Sequence, residues 1–375
     1  MKTVFIGING YDYPYVRVRC YHFAREVKKY GIESSVISFR DDFAPHLSGI
    51  DMLGIRDRKK LYLNFRAFLR LLKDSGAIFY IQKVHYHSAA PYFLTKLSGG
   101  SFVLDYDDWD IDRSPLFNRG YINRFFFGTD GVENVTKRVA EDAAACVASS
   151  HYLADYLSVW NRNVHYIPTG VDIEKFSRNT RRTGNEVNLI WTGNIWGEVM
   201  YENVMFLLRC FSKINPAGKK VTLCIAASGY FYDKLKSDSM KMRFPGAIQF
   251  YDWISPDKMN DLLNNMDIGL LPLIPDNDND TWMRSKSPTK LFEYMAMELS
   301  TVSSDFGEVP HIIKNGENGF LGNSEDEFVE KINLLIKDDS LRVKMGEQAK
   351  KDVAENYSLD VLGEKLSKLL KTIKP

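Results

Sequence analysis

Apolar residues along the chain collect in short continuous runs, and the stretches between them carry helical spacing. Thr3–Ile8, Ser35–Phe39, Ala77–Gln82, Ser101–Leu104 and Cys146–Ser149 are the runs of the first half. Val187–Trp191, Val221–Ala226, Ile248–Tyr251, Asp267–Leu273 and Thr301–Ser304 are those of the second. Short runs without polar alternation predict strands buried on both faces, as in parallel sheets. The intervening stretches predict helices up to about Tyr30, over Asp57–Asp74, from about Gly131 to Ala145, over Asp257–Met266 and from about Tyr357 onward. Strand and helix in alternation predict an α/β class built on parallel sheets.

At 375 residues the chain exceeds what one core usually spans, so two domains are expected. The apolar-poor segment SRNTRRTGNE at 177–186 reads as the linker, which divides the chain into 1–178 and 179–357. No internal repeat or low-complexity segment interrupts it. Charged residues are 26% and the net charge is +1, so nothing points to nucleic acid or another acidic polymer as partner. Cys20, Cys146, Cys210 and Cys224 form no C-x-x-C pair and read as buried thiols of a reduced compartment. No apolar run is long enough for a membrane span, and the N-terminal run continues as a strand rather than a signal peptide. The expectation is a cytoplasmic, soluble protein, with a peripheral contact at the inner face of the membrane.

Chemistry concentrates in SPTKLFEYMAMELSTVSSDFGEVPHIIKNGENGF at 287–320. Pro288 and Thr289 open a helix whose Leu291, Phe292, Met295 and Ala296 share one face, with Lys290 and Glu293 near its start. Such a helix start is an anion site. A strand, a Gly307 loop and the turns Asn315-Gly316 and Asn318-Gly319 follow. A second concentration is Asp105-Tyr106-Asp107-Asp108-Trp109-Asp110 at a strand end, where open α/β sheets bind ligands. It reads as a polar site or a D-x-D metal motif. The segment DNDNDTWMRSKS at 276–287 is rich in oxygen ligands but lacks a Glu at the twelfth position, and it reads as a mobile loop rather than a calcium site.

The order P-x-K-L-F-E-Y-M-A, V-x-S-S-D-x-G-x-V-P and I-I-K-N-G-E-N-G-F resembles the donor-binding half of retaining GT-B glycosyltransferases, most of all glycosyltransferase family 4. Ile167–Asp172 carries the P-x-G-V-D that ends the family's N-terminal domain. The resemblance implies the GT-B fold, two Rossmann-like α/β/α domains facing a central cleft, with the last helix (358–375) returning to the first domain. It implies an EC 2.4 activity that moves a sugar from a nucleoside-diphosphate sugar to a hydroxyl of a glycan, lipid-linked or small-molecule acceptor, with retention and without a metal or other cofactor. Cell-surface polysaccharide or glycoconjugate synthesis is the usual setting.

By the same resemblance, Lys290 would meet the donor diphosphate, Glu293 the ribose hydroxyls, and Asp107 the acceptor; these are the catalytic candidates. Gly10, Gly193, Asn194, Trp253, Ile254, Arg284, Ser285, Lys286, Pro288, Thr289 and Gly307 are the donor-side candidates. Trp253 and Ile254 would cover the nucleobase. Arg17, Arg19, His85, His87, Asp105 and Asp108 are those of the acceptor side. The chain departs from the pattern in three places. Asn194 stands where an Arg is usual, with no Lys following before Lys213. Ser285 stands where the first of two Glu residues falls, and His311 where another Glu is common. The mixed aromatic and basic segment LFNRGYINRFFFG at 116–128, with Arg119 and Arg124, and the basic helix 57–74 read either as lipid-facing or as ordinary packed and solvated surface. Two other readings stay open: a GT-B-like epimerase or phosphorylase, and a non-catalytic subunit that binds a sugar nucleotide or glycan.

Overall fold

The structure is a computed structural model that describes residues 1–109, 111, 124, 127–128, 131–179, 184–275 and 280–374. Asp110, most of the 116–128 segment including Arg119, and residues 276–279 of the acidic loop lie outside the described residues. The chain forms two compact units. The first comprises Met1–Thr169, Ser285–Ser287 and Leu359–Pro375; the second comprises Gly170–Arg284 and Pro288–Ser358.

The first unit is built on a parallel six-stranded sheet. Its strands are β1 (Lys2–Gly7), β2 (Glu33–Ser38), β3 (Ile78–Gln82), β4 (Phe102–Tyr106), β5 (Ala145–Ala148) and β6 (Val164–Tyr166), in the order β2-β1-β3-β4-β5-β6. Every residue of β3, β4 and β5 is buried, as their unbroken apolar runs require of strands covered on both faces. On one face Phe5, Tyr80, Val103 and Val147 pack with Phe23 and Val27 and with Leu362, Leu366 and Leu370 of the C-terminal helix Leu359–Thr372. That helix lies against Phe23–Lys29 at Gly363, where any Cβ would strike Glu26.

The second unit carries another parallel six-stranded sheet. Here β7 (Glu186–Asn194), β8 (Lys220–Ser228), β9 (Ala247–Tyr251), β10 (Ile268–Leu271), β11 (Ser300–Ser304) and β12 (Phe320–Gly322) run in the order β12-β11-β10-β7-β8-β9. Leu189, Trp191, Leu223 and Ile225 face Val204, Leu207, Phe211 and Phe328 on one side. Ile190, Cys224 and Leu271 face Leu291, Phe292, Met295 and Val353 on the other. Asn318 closes the expected turn from inside: its carboxamide accepts from Lys314 N–H at 2.8 Å and donates to Asp352 at 2.7 Å.

Three features had no clear trace in the sequence. The helix Glu198–Lys213 is buried through most of its length, so its apolar residues show no single stripe. The strands β6 and β12 are only three residues long. The first helical stretch is a short α turn, a π segment over Arg17–His22 and then α over Phe23–Lys29. Arg19 lies within the π segment and is fully buried.

Candidate functional site

Ligands of open α/β sheets bind beyond the carboxyl ends of the strands, where the strand order reverses. That place lies between β1 and β3 in the first unit and between β7 and β10 in the second. Of the residues picked out from sequence, Gly193 and Asn194 end β7 in the second unit, and Gly10 and Asp107 follow β1 and β4 in the first.

In the second unit the helix Thr289–Ala296 is seated across the reversal by Tyr294. Its hydroxyl meets the N–H and hydroxyl of Thr192 on β7 at 3.0 and 3.1 Å. Its ring lies on Gly269 of β10, where an added Cβ would stand 2.5 Å from a ring carbon. Lys290 is one helical turn earlier and so projects along the same side. Its ammonium lies 4.4 Å from the centre of the Trp191 ring, over the end of β7. A Cβ on Gly193 would come within 2.5 Å of that nitrogen, so the glycine is what lets the amine reach the strand end. Glu293 is half-buried on the next position of the helix surface. The macrodipole and the N–H groups of the first turn, which begins at Thr289 just after Pro288, add positive potential at this end.

Asn194 is exposed, and its Oδ1 accepts from the Ser228 hydroxyl at 2.7 Å. Gly307 takes φ +60° in the turn after β11, close against the Arg284 backbone; a side chain there would be strained. Arg284 pairs with Asp280 at 2.7 Å and lies over Phe306 at 4.7 Å. Trp253 is 66% exposed beyond β9, with Ile254 half-buried beside it.

In the first unit, Asp107 follows β4 and its side chain is only 5% exposed. Gln82, the last residue of β3, donates to it at 2.9 Å, and the Lys83 ammonium lies 3.9 Å away. Burial pushes the Asp107 carboxyl up to about 7, against the opposing pull of Lys83 and with Asp105 adding to the rise. Asp108 sits between two cations, 3.5 Å from Lys83 and 2.8 Å from Lys286. Lys83 was not singled out from sequence. It takes φ +64°, rare for a residue with a side chain, and its amine is held 4.8 Å from the centre of the Tyr15 ring. A charged residue immediately after a buried strand was the signal available.

Several residues serve the fold where a ligand contact was expected. Arg19 and Asp105 form a wholly buried ion pair, with Nε at 2.8 Å from the carboxylate and a second N–H bonded to its other oxygen. Arg19 also donates to the Ile167 carbonyl at 2.7 Å, so its charge is engaged inside the unit rather than toward an acceptor. His87 is buried, with Nε2 2.8 Å from the Gln82 carbonyl, and His85 is buried beside it. Arg17 is half-buried and reaches the carbonyls of Tyr11 and Asp12 at 3.4 and 3.5 Å. Gly10 lies against Asp41: a Cβ would displace that carboxylate, which accepts from Tyr11 N–H and from the Tyr21 hydroxyl. Ser285 and Lys286 group with the first unit. The Ser285 carbonyl accepts from the Ser150 hydroxyl at 2.9 Å, and the Lys286 charge is engaged by Asp108 within that unit. Among the described residues no cluster of carboxylate, imidazole and thiol groups fits a metal ion.

Residues 186–338 match the sequence model described as Glycosyl transferases group 1. No curated protein sequence matches the chain. Among solved structures, a glycosyltransferase from Rickettsia africae is similar with a TM-score of 0.69 at 16% identity, covering 99% of this chain and 98% of that one. Anabaena HepE in complex with UDP-glucose is similar with a TM-score of 0.70 at 13% identity, each chain being covered in full. The sucrose-phosphate synthase of Thermosynechococcus elongatus gives 0.69 at 12% identity, covering 99% and 98%. The chain therefore has the fold of the GT-B glycosyltransferases throughout, and its second unit carries the sequence pattern of group 1 glycosyl transferases.

Proposed function

We propose that the protein transfers a sugar from a nucleoside-diphosphate sugar to a hydroxyl acceptor, with retention at the anomeric carbon and without a metal ion. The observation that carries this reading is the meeting of Lys290 with Gly193 at the strand-order reversal of the unit that matches the group 1 pattern. A cation, a helix start and a bare backbone at one place suit a diphosphate. HepE, similar in fold, is described with UDP and with UDP-glucose, which favours a nucleotide-sugar donor here.

In this reading the leaving diphosphate is stabilised as its charge develops, by Lys290, by the N–H groups at the start of Thr289–Ala296 and by those of the Gly307 turn. Glu293 takes the ribose hydroxyls, and Trp253 with Ile254 flanks the base. Asp107 belongs to the acceptor: its carboxyl, titrating near 7, can hold or release the proton of the attacked hydroxyl at working pH. Glycan or lipid-linked acceptors of cell-surface synthesis fit the reading, as do assignment to glycosyltransferase family 4 and a cytoplasmic site of action.

One observation supports a second reading, in which the unit binds a sugar nucleotide without turning it over. Asn194 stands in place of the usual Arg and is bonded to Ser228, which leaves less positive charge at the strand end. Turnover separates the two. With UDP-, GDP-, dTDP- or ADP-sugars and a panel of hydroxyl acceptors, sugar transfer predicts nucleotide release that requires acceptor, and a product whose anomeric NMR coupling matches the donor. Binding of a donor with no release under any acceptor would support the second reading; release with inverted product would overturn retention.

A further inference from the structure

Sixteen large apolar side chains stand well exposed among the described residues, and seven of them lie on one pair of adjacent helices in the first unit. On Asp57–Leu71 and the turn after it these are Leu61, Tyr62, Phe65, Leu69 and Leu72, with Phe65 61% exposed. Phe93 and Leu97 continue the patch on Ala89–Ser98, whose Phe93 ring lies 6.2 Å from that of Phe68. Helical spacing orders the exposed arc. Leu61, Leu72, Phe65 and Leu69 form one edge, and Tyr62, Lys73, Arg66 and Arg70 form the other. The opposite face is fixed to the unit: Lys60, Leu63, Asn64, Ala67 and Leu71 are buried, and Asn64 accepts from Ala90 N–H at 3.0 Å.

The charge of this face sets it apart from the rest of the chain. Residues 57–74 hold six cations and two carboxylates, a net +4 in a protein whose net charge is +1, and all the cations but the buried Lys60, which pairs with Asp57, are exposed or half-buried. One of the carboxylates, Asp74, is buried and bridges Lys2 and Arg70, so the outward field is positive. An acidic face on a partner would answer the arginines but leave the bare leucines and Phe65 in water. A second copy would set like charges against each other. A bilayer with anionic headgroups answers both edges: the basic residues stay at the phosphates and the apolar edge enters the headgroup–acyl boundary.

We propose that the outer face of helix 57–71, with Leu72, Lys73, Phe93 and Leu97, is a docking surface for an anionic lipid bilayer. The helix lies in the plane of the interface and does not cross it; among the described residues no helix is long and apolar enough to span. This inference stands on the face itself and does not depend on the sugar-transfer reading.

The test is flotation of the whole protein with vesicles of phosphatidylglycerol and phosphatidylcholine, against phosphatidylcholine alone, at low and high salt. The expected result is binding to the anionic vesicles only, weakened by salt. Each basic residue near an anionic surface is worth about fivefold in binding, so Arg66→Gln with Arg70→Gln lowers it by roughly 25-fold. Phe65→Ser with Leu69→Ser abolishes retention by the vesicles while helical circular dichroism is unchanged, because all four side chains point outward. Equal binding to both vesicle types, no binding to either, or variants that float like the wild type would overturn the proposal. A dimer in sedimentation velocity that Phe65→Ser with Leu69→Ser dissolves would also overturn it and assign the face to self-association.

Discussion

Replacing Asp107 with Asn removes a buried carboxyl that the fold holds well above its ordinary range. The side chain is 5% exposed, and burial raises its titration to about 7. An unfolded Asp titrates near 4, so the native state holds a proton that the unfolded state has lost anywhere between these values. Stability contributed by this group therefore falls as pH rises from about 4 through 7, and the loss is complete above. A rise from about 4 to about 7 corresponds to at most about 4 kcal/mol, and relaxation around the buried group reduces what is measured to on the order of 2–4 kcal/mol. Asn keeps the acceptor for Gln82 and the shape, and it carries no charge to bury. Asp107→Asn is expected to raise the melting temperature of the first unit at pH 8 by roughly 4–16 °C and to leave it unchanged near pH 4.5. Sugar transfer, if Asp107 serves the acceptor, falls in the same variant, so stability and activity move in opposite directions. Differential scanning calorimetry from pH 4.5 to 8 reads the first effect. Wild type and variant curves that stay parallel across that range would refute the reasoning, since the buried charge would then carry no penalty.

The remaining predictions follow from single contacts. Arg19→Met leaves Asp105 buried without its partner and is expected to destabilise by about 3–5 kcal/mol, while Arg19→Met with Asp105→Leu recovers most of the loss; urea unfolding of the two would contradict this if the single variant were the milder. Gly269→Ala presses on the buried Tyr294 ring, which also seats Lys290, and is expected to cost about 1–3 kcal/mol and to weaken nucleotide binding, measured by denaturation and calorimetry. Gly193→Val displaces the Lys290 amine, presses on the buried Trp191 ring and strains the backbone at φ +158°, so it is expected to lower both nucleotide affinity and melting temperature, measured by calorimetry. Asn318→Ala removes a buried three-bond turn lock and is expected to lower stability by about 1–3 kcal/mol with no change in nucleotide affinity.

The parallel α/β architecture was legible because strands buried on both faces write themselves as unbroken apolar runs. β3 and β11 fall within a residue or two of the expected limits. Helix 57–74 was legible for the opposite reason, a clear buried stripe at helical spacing. Glu198–Lys213 was not, since a helix packed on most of its surface has no stripe. At the site, Lys290 and Glu293 could be picked out because the motif supplies their spacing. The roles of Arg19 and Gly10 could not. Arg19 lies buried within a π segment that its sequence does not announce, and Gly10 lies against Asp41, which is remote in sequence. Lys83 is the instructive omission: nothing local marks its left-handed backbone, and its importance arises only when β3 and β4 pair and bring it to Asp107 and Asp108.

The central claim is that Lys290 and Glu293 form a nucleotide-sugar site, and titration calorimetry tests it directly. UDP, GDP, dTDP, ADP and their sugars would be titrated into wild type, Lys290→Ala and Glu293→Ala. The account predicts binding of one base family by the wild type, with affinity lowered at least tenfold in each variant and the folds intact. Binding that persists unchanged in both variants, or no binding of any of these nucleotides to the wild type, would contradict it.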